Sequence, residues 1–415
     1  MTARSAPTTS LARWLVHRQI RRIETDRVII LEGDNRWVYG DTTDAARSEA
    51  TVFVHDPRAY RDVAFGGTVG SGEAYMKGYW TADDLTEVVR VLLRNREMLN
   101  AMETGLARLT EPANRLFHWL SRNNKAGSRR NIAAHYDVGN EFFRIWLDES
   151  LMYSSAVFEE PGMSLEEAST AKLDRICRKL ELSPDDHLLE IGTGWGGLAI
   201  HAAQKYGCRV TTTTISREQY RYVRKRIQDA GLTDRITLLL QDYRDLSGEY
   251  TKLVSVEMIE AIGHDFIDLY FEKCSSLLKK GGVMLLQAIT IAEDQYETAK
   301  KSVDFIQRYI FPGGSLSSVR ALMDSVARVT NLRLQDLEEI GPHYATTLRH
   351  WRERMASGLG QIRSLGYSEE FIRMWEFYFC YCEGGFIERT IGDVQILFVK
   401  PGSANARPPL RDLSA

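Results

Sequence analysis

Residues 187–204, HLLEIGTGWGGLAIHAAQ, constrain the fold more than any other stretch of this 415-residue chain. His187, Leu188, Leu189, Glu190 and Ile191 make a short, mostly apolar run closed by glycine, the pattern of a strand buried on both faces of a parallel sheet. Gly192, Gly194, Gly196 and Gly197 follow. A turn of that composition lets the backbone take positive φ and lets a ligand approach the chain closely. Leu198 to Gln204 then reads as helix. Strand, glycine turn and helix in this order predict a nucleotide-like cofactor at the turn.

The glycine spacing alone suits a dinucleotide or S-adenosylmethionine, and two details favour the methyl donor. Glu190 lies inside the strand just ahead of the first glycine, where its carboxylate can meet an ammonium group. The next strand, Arg209-Val210-Thr211-Thr212-Thr213-Thr214, ends without the acid that a dinucleotide ribose meets about 20 residues beyond the glycines. A merely solvated strand end is the weaker reading of Glu190, because a charge inside an apolar run needs a partner.

The length exceeds one ordinary core and predicts two or three domains. With 44% hydrophobic and 26% charged residues the composition is that of a soluble globular protein, and a formal charge of -3 argues against general nucleic-acid binding. Cys177, Cys208, Cys274, Cys380 and Cys382 include no C-x-x-C pair, so neither a disulfide framework nor a metal site is indicated. No apolar run reaches the roughly 18 residues of a membrane span, and no signal core opens the chain. A cytoplasmic protein is expected, one still able to touch a membrane.

Residues 1–10 are small and polar and read as disordered. Leu11, Trp14 and Leu15 then fall at helical spacing among Arg13, Arg18, Arg21 and Arg22, which suits either an interfacial helix or one packed on its own domain. Val28 to Leu31 and Arg36 to Tyr39 form a hairpin pattern, and Thr51 to Val54 adds a third strand. Phe65 to Gly72 reads as a glycine-rich loop without the lysine of a phosphate site, and Leu85 to Leu99 as a helix. A small α+β domain follows from these elements. Between Ala113 and Arg130 the side chains of Arg115, Arg122, Lys125, Arg129 and Arg130 alternate with Leu116, Phe117, Trp119 and Leu120. Such a segment reads as a linker or as a site for anionic lipid, at about 1 kcal/mol per basic residue near a membrane surface.

Past that linker, strand patterns at 209–214, 236–240, 252–256 and 283–288 alternate with helical ones, which predicts a parallel, doubly wound α/β sheet. Residues 292–380 read as a mostly helical, aromatic-rich lid, broken near Pro312-Gly313-Gly314 and by a strand at 332–337. Val394 to Val399 is the last strand, and residues 403–415 read as a disordered tail. The expected division is therefore a domain at 1–125 and a catalytic domain at 126–402.

Several segments together resemble the cyclopropane fatty acid synthases, methyltransferases that act on unsaturated acyl chains with S-adenosylmethionine. They are HYDVGNEFF from His135, LMYSS from Leu151, Glu190 to Gly197, ISREQ from Ile215, Met258-Ile259-Glu260, YIFPGG from Tyr309 and IGDVQ from Ile391. The resemblance implies a class I methyltransferase domain, with a seven-stranded and mostly parallel sheet, and an N-terminal substrate-binding domain. It implies Tyr136, Tyr153 and Ser154 on the methionine half of the cofactor, and Glu190, Gly192 and Gly194 in its cradle. Thr214, Ile215 and Gln219 would lie around the ribose, and Asp242 and Tyr243 beside the adenine. For Tyr136 and Tyr153 ordinary aromatic core is the competing reading.

In that family a bicarbonate ion beside the substrate takes the proton that closes the ring. Of its ligands, the resemblance places the glutamate at Glu260, the backbone isoleucine at Ile289 and the tyrosine at Tyr344. The cysteine and histidine positions depart, holding Ser155 and Gln287. A serine hydroxyl and a glutamine amide can still donate to an anion, but glutamine cannot become cationic. The implied reaction is methyl transfer to the cis double bond of a membrane phospholipid acyl chain, ending in a cyclopropane or in a methylene- or methyl-branched chain. His264 is left outside the catalytic set. Peripheral contact with the inner leaflet of the cytoplasmic membrane is expected, and a homodimer is admitted. Two other readings stay open, a small-molecule N-methyltransferase on the same fold and a non-catalytic lipid-binding protein.

Overall fold

The computed structural model describes residues 7–43, 45–103, 127 and 139–402. Tyr136, most of the basic segment 113–130 and the two termini lie outside the described residues. The rest divides into two compact units, and the division does not follow the linear boundary expected at 125/126. One unit takes in residues up to 103 together with 301–312 and 351–390; the other takes in 139–300, 313–350 and 391–402.

The first unit is built on β1 (Arg27–Glu32), β2 (Asn35–Gly40), β3 (Glu49–Val54) and β4 (Trp80–Ala82), in the order β2-β1-β3-β4. The hairpin forms as the pattern predicts, while β3 pairs parallel to β1 and the short β4 escaped the sequence reading. The glycines read as a loop instead lie within the helix Arg58–Met76, which bends at Gly67 (φ 54°). Packing explains the correction: a Cβ on Gly72 would sit 2.3 Å from the Phe305 ring. Small residues admit that ring, and tertiary contact outweighs the roughly 1 kcal/mol helix penalty of each glycine. The helix expected over 85–99 breaks at Asn95 into Leu85–Arg94 and Arg96–Glu103.

The long helix Glu369–Ile387 belongs to this unit because it packs on Leu85–Arg94. At Gly384 a Cβ would come within 2.7 Å of Val89, and the buried Arg94 binds Asp26, Glu87 and Glu388, each at 2.8 Å. A paired, hydrogen-bonded guanidinium is the form in which such a charge tolerates burial.

In the second unit β5 (His187–Ile191), β6 (Arg209–Thr214), β7 (Ile236–Leu240), β8 (Tyr250–Val256), β9 (Leu278–Ile291), β10 (Arg333–Glu339) and β11 (Ile391–Val399) form one sheet. Its order is β10-β11-β9-β8-β5-β6-β7. All pairings are parallel except the two made by β11, which runs against its neighbours. This is the doubly wound sheet of a class I methyltransferase. Leu189, Leu253, Phe271 and Phe398 pack one face, and Leu188, Val210, Val254 and Leu397 the other. Burial on both faces is why β5 and the second half of β9 read as largely apolar runs, while the edge strands β7 and β10 are half exposed. Strand order reverses at β5, flanked by β6 and β8, and in open α/β sheets ligands bind beyond the carboxyl ends of the strands at such a point.

Candidate active site

Beyond β5 the chain turns with Gly192, Gly194 and Gly196 at φ of 98°, 52° and 88°. The Gly192 and Thr193 amides both donate to the Thr213 carbonyl, at 3.2 and 2.9 Å, which pins the turn to β6. A Cβ on Gly194 would meet nothing within 4 Å, so the backbone conformation excludes a side chain there while the space beside it stays open. Two buried hydroxyls, Thr193 Oγ1 in this turn and Tyr243 Oη just past β7, have no hydrogen-bond partner among the described residues. An open glycine cradle with unsatisfied donors fits S-adenosylmethionine, since buried polar groups left alone are costly.

Other expected cofactor residues are held in place by their own partners. Glu190 is buried and accepts from Thr212 Oγ1; burial pushes its carboxyl up to about 8, against the pull of that bond and of Lys172. Thr214 Oγ1 donates to Gln219 Oε1 at 2.7 Å and accepts from the Ser216 amide beside the half-buried Ile215. Asp242 is held by Arg244 through Nε at 2.8 Å and Nη2 at 2.7 Å, and the same guanidinium lies over the Tyr243 ring. The Tyr153 ring packs against Phe143 and Trp146. Ser154 Oγ accepts from the buried Lys172 Nζ at 2.7 Å.

The second centre lies past β8, where Glu257 takes φ 47°. A left-handed backbone costs a non-glycine residue about 1–2 kcal/mol, and three donors converge on the carboxylate so placed. Oε1 accepts from the Ser155 amide at 2.9 Å and from Gln287 Nε2 at 2.8 Å; Oε2 accepts from Tyr344 Oη at 2.8 Å. Gln287 Nε2 also reaches Asp393 Oδ2 at 3.1 Å, and its Oε1 accepts from Gln395 Nε2 at 3.0 Å. Ile289 N donates instead to Glu260 Oε1 at 2.6 Å, and Glu260 Oε2 has no partner among the described residues.

The buried ammonium of Lys172 is acted on by four carboxyls, Glu257, Asp148, Asp393 and Glu190, while Glu260 feels the Glu257 charge without that compensation. Burial pushes Glu260 up to about 8, helped by the Glu257 charge, and carries Asp393 well above its ordinary range, helped by Glu257 and Glu260. Glu257 is also raised by burial, opposed by Lys172 and by its hydrogen bonds. Burial lowers Lys172 to about 8 against these acids. Like charges this close cannot all ionise. Glu257, with three donors, carries the charge, while Asp393 and Glu260 hold protons near neutral pH.

Of the residues the resemblance assigns to a bound anion, Ser155, Gln287 and Tyr344 come together, but around Glu257; Ile289 serves Glu260. Bicarbonate does not fit this donor set. Ser155 Oγ is turned away as well, donating to the Ala156 carbonyl at 2.9 Å. Glu257, Asp393 and Lys172 were missed by sequence reasoning. The rule that singled out Glu190 applies equally to Glu257, which ends the apolar run Leu253 to Val256. Asp393 sits in a matched segment without an assigned role, and Lys172 gives no signal in a helix of mixed charge.

Fold and cradle together define an S-adenosylmethionine-dependent methyltransferase. The chain belongs to the mycolic acid cyclopropane synthetase family, whose model matches residues 123–396. It is 37% identical to the tuberculostearic acid methyltransferase UfaA1 of Mycobacterium tuberculosis, over 95% of this chain and 93% of that one. It is 36% identical to the cyclopropane-fatty-acyl-phospholipid synthase of Escherichia coli K12, over 84% and 87% of the two chains. Among solved structures it resembles mycolic acid cyclopropane synthase CmaA1 complexed with SAH and CTAB, with 31% identity and a TM-score of 0.62 over 66% of this chain and 98% of that one.

Proposed function

We propose that this enzyme methylates the cis double bond of an unsaturated acyl chain in a membrane phospholipid, with a cyclopropane as the first expected product. The observation that carries the reading is the buried cluster of Glu257, Glu260, Asp393, Gln287 and Tyr344, a proton-accepting site deep in the protein. S-adenosylmethionine, when bound, supplies an electrophilic methyl group on a cationic sulfur. Glu190, Gly192, Gly194, Thr214, Ile215, Gln219, Asp242 and Tyr243 would hold it along the carboxyl ends of β5, β6 and β7, with Tyr153 and Ser154 at its methionine end. Tyr136 is assigned there by resemblance alone.

An alkene is a poor nucleophile, so the residues around it must fix its position and keep water from the cation formed on the chain. That cation then loses a proton from the new methyl group. Direct closure gives the ring; a prior hydride shift to the neighbouring carbon gives an exocyclic methylene. A saturated methyl branch would require an external hydride, so this chain alone reaches the methylene at most. Relatives named for a fatty acyl phospholipid and for tuberculostearic acid, both similar along most of this chain, support a lipid substrate over a small amine.

The helix Pro7–Ile20 supports contact with the membrane surface. Ala12, Val16 and His17 face inward, whereas Leu11 and Trp14 are each 54% exposed, with the Arg18 guanidinium over the Trp14 ring. An exposed apolar pair flanked by arginines suits an anionic lipid interface. No helix among the described residues is long and apolar enough to cross a membrane. Mass spectrometry of total fatty acids from cells expressing the chain, fed methionine with a trideuterated methyl, tests the reading. The expected product carries two of the three deuterons in a ring or methylene carbon. Unlabelled lipids would refute it.

A further inference from the structure

We propose that Glu257 is a built-in base, its carboxylate occupying the place an exogenous bicarbonate would need and accepting the proton lost from the methylated acyl chain. The inference rests on the proposed alkene methylation. It arises from the disagreement between the ligand set implied by the family resemblance and the hydrogen bonds of this chain.

Three of the five positions that would ligand a free anion direct their donors to the Glu257 side chain: the Ser155 amide at 2.9 Å, Gln287 Nε2 at 2.8 Å and Tyr344 Oη at 2.8 Å. A fourth, the Ile289 amide, is taken by Glu260 at 2.6 Å. An added bicarbonate would have to displace a carboxylate already attached to the chain, at a loss of three charge-assisted hydrogen bonds. A tethered base also costs no binding entropy.

The choice of Glu257 over Glu260 follows from the same contacts. Glu257 has donors on both oxygens and the Lys172 charge to compensate it, so it is the ionised member. Glu260 faces the Glu257 charge and is held protonated, which disqualifies it as the acceptor. Asp393, raised for the same reason, is tied to Glu257 through Gln287 Nε2, which donates to both carboxyls. Gln287, Ser155 and Tyr344 act as positioning residues. In the step itself a C–H bond of the transferred methyl breaks and its electron pair closes onto the cationic carbon. The proton passes to a Glu257 oxygen, and the carboxylate becomes a carboxylic acid that later loses its proton to solvent.

The backbone offers a clean test, because glycine suits φ 47° better than glutamate and Glu257→Gly should relieve strain as it removes the carboxylate. The full-length enzyme is assayed on vesicles containing unsaturated phospholipid in carbon-dioxide-free buffer, with and without added bicarbonate. Binding of 13C-bicarbonate is followed separately by NMR. Wild type should turn over equally in both buffers and show no bicarbonate binding. Glu257→Gly should lose about 100-fold or more, the usual worth of a general base, bind bicarbonate, and regain a large part of its rate when bicarbonate is added. Glu257→Gln, which keeps the bulk, should be inactive and unrescued. A wild type that binds bicarbonate and needs it, or a Glu257→Gly enzyme as fast as wild type without it, overturns the proposal. A wild type that methylates no lipid under any condition refutes the underlying function instead, and the binding measurement then judges the anion site independently.

Discussion

Replacing Glu260 by glutamine should make the protein more stable, and increasingly so as pH rises. The carboxyl lies deep in the second unit, with one oxygen bonded to the Ile289 amide and the other without a partner among the described residues. Burial, reinforced by the neighbouring Glu257 charge, raises it from 4.5 to about 8. A raised carboxyl contributes its full stability while protonated in both states, below about 4.5. From there the unfolded chain gives up its proton while the folded one keeps it, and stability falls until the folded group also ionises near 8. At about 1.4 kcal/mol for each pH unit the whole loss is about 5 kcal/mol. Glutamine preserves the acceptor for Ile289 and cannot ionise. Denaturant unfolding of wild type and Glu260→Gln from pH 4 to pH 9 should therefore give a stability difference that grows through this window and levels off above it. Glu190 adds its own pH dependence to both proteins and cancels in the difference, whereas Asp393, raised in part by Glu260, is relieved in the variant and adds to the gain. A difference constant across the range would mean that Glu260 is not held protonated, and the assignment of charge to Glu257 would fall with it.

Gly194→Val should abolish binding of S-adenosylhomocysteine in calorimetry while the fold survives, because a Cβ there would meet nothing within 4 Å and the left-handed backbone costs about 1–2 kcal/mol; unchanged affinity would remove the turn from the cofactor site. Binding to anionic vesicles should weaken as salt rises, since surface charge is screened over about 8 Å at physiological ionic strength. Leu11→Ser with Trp14→Ser should weaken it further, and co-sedimentation indifferent to salt, lipid charge and these substitutions would leave the N-terminal helix without a membrane role.

Local chemistry made much of this protein legible from the sequence. β5, β6 and β7 all fall where the pattern predicts them, but the physical reason differs: β5 is short and greasy because both its faces are buried, β6 is a run of β-branched threonines, and β7 is a half-exposed edge strand. The glycine turn is equally legible, since few other residues tolerate its positive φ. The same local logic failed at Gly66 to Gly72, where glycine signals a loop but serves helix packing against Phe305, more than 200 residues away. It failed at residues 351–390, whose helices read as part of the catalytic domain and cluster with the N-terminal unit instead. In the site the sequence supplied the residue types, and the tertiary structure decided which of them meet. Ser155, Gln287 and Tyr344 come from three distant segments, the loop before Leu165–Lys179, β9 and the helix Gly341–Ser357, and only the fold brings their donors onto Glu257 at the end of β8. Whether a buried acid is ionised depends on the donors and charges around it, and those neighbours are set by the fold.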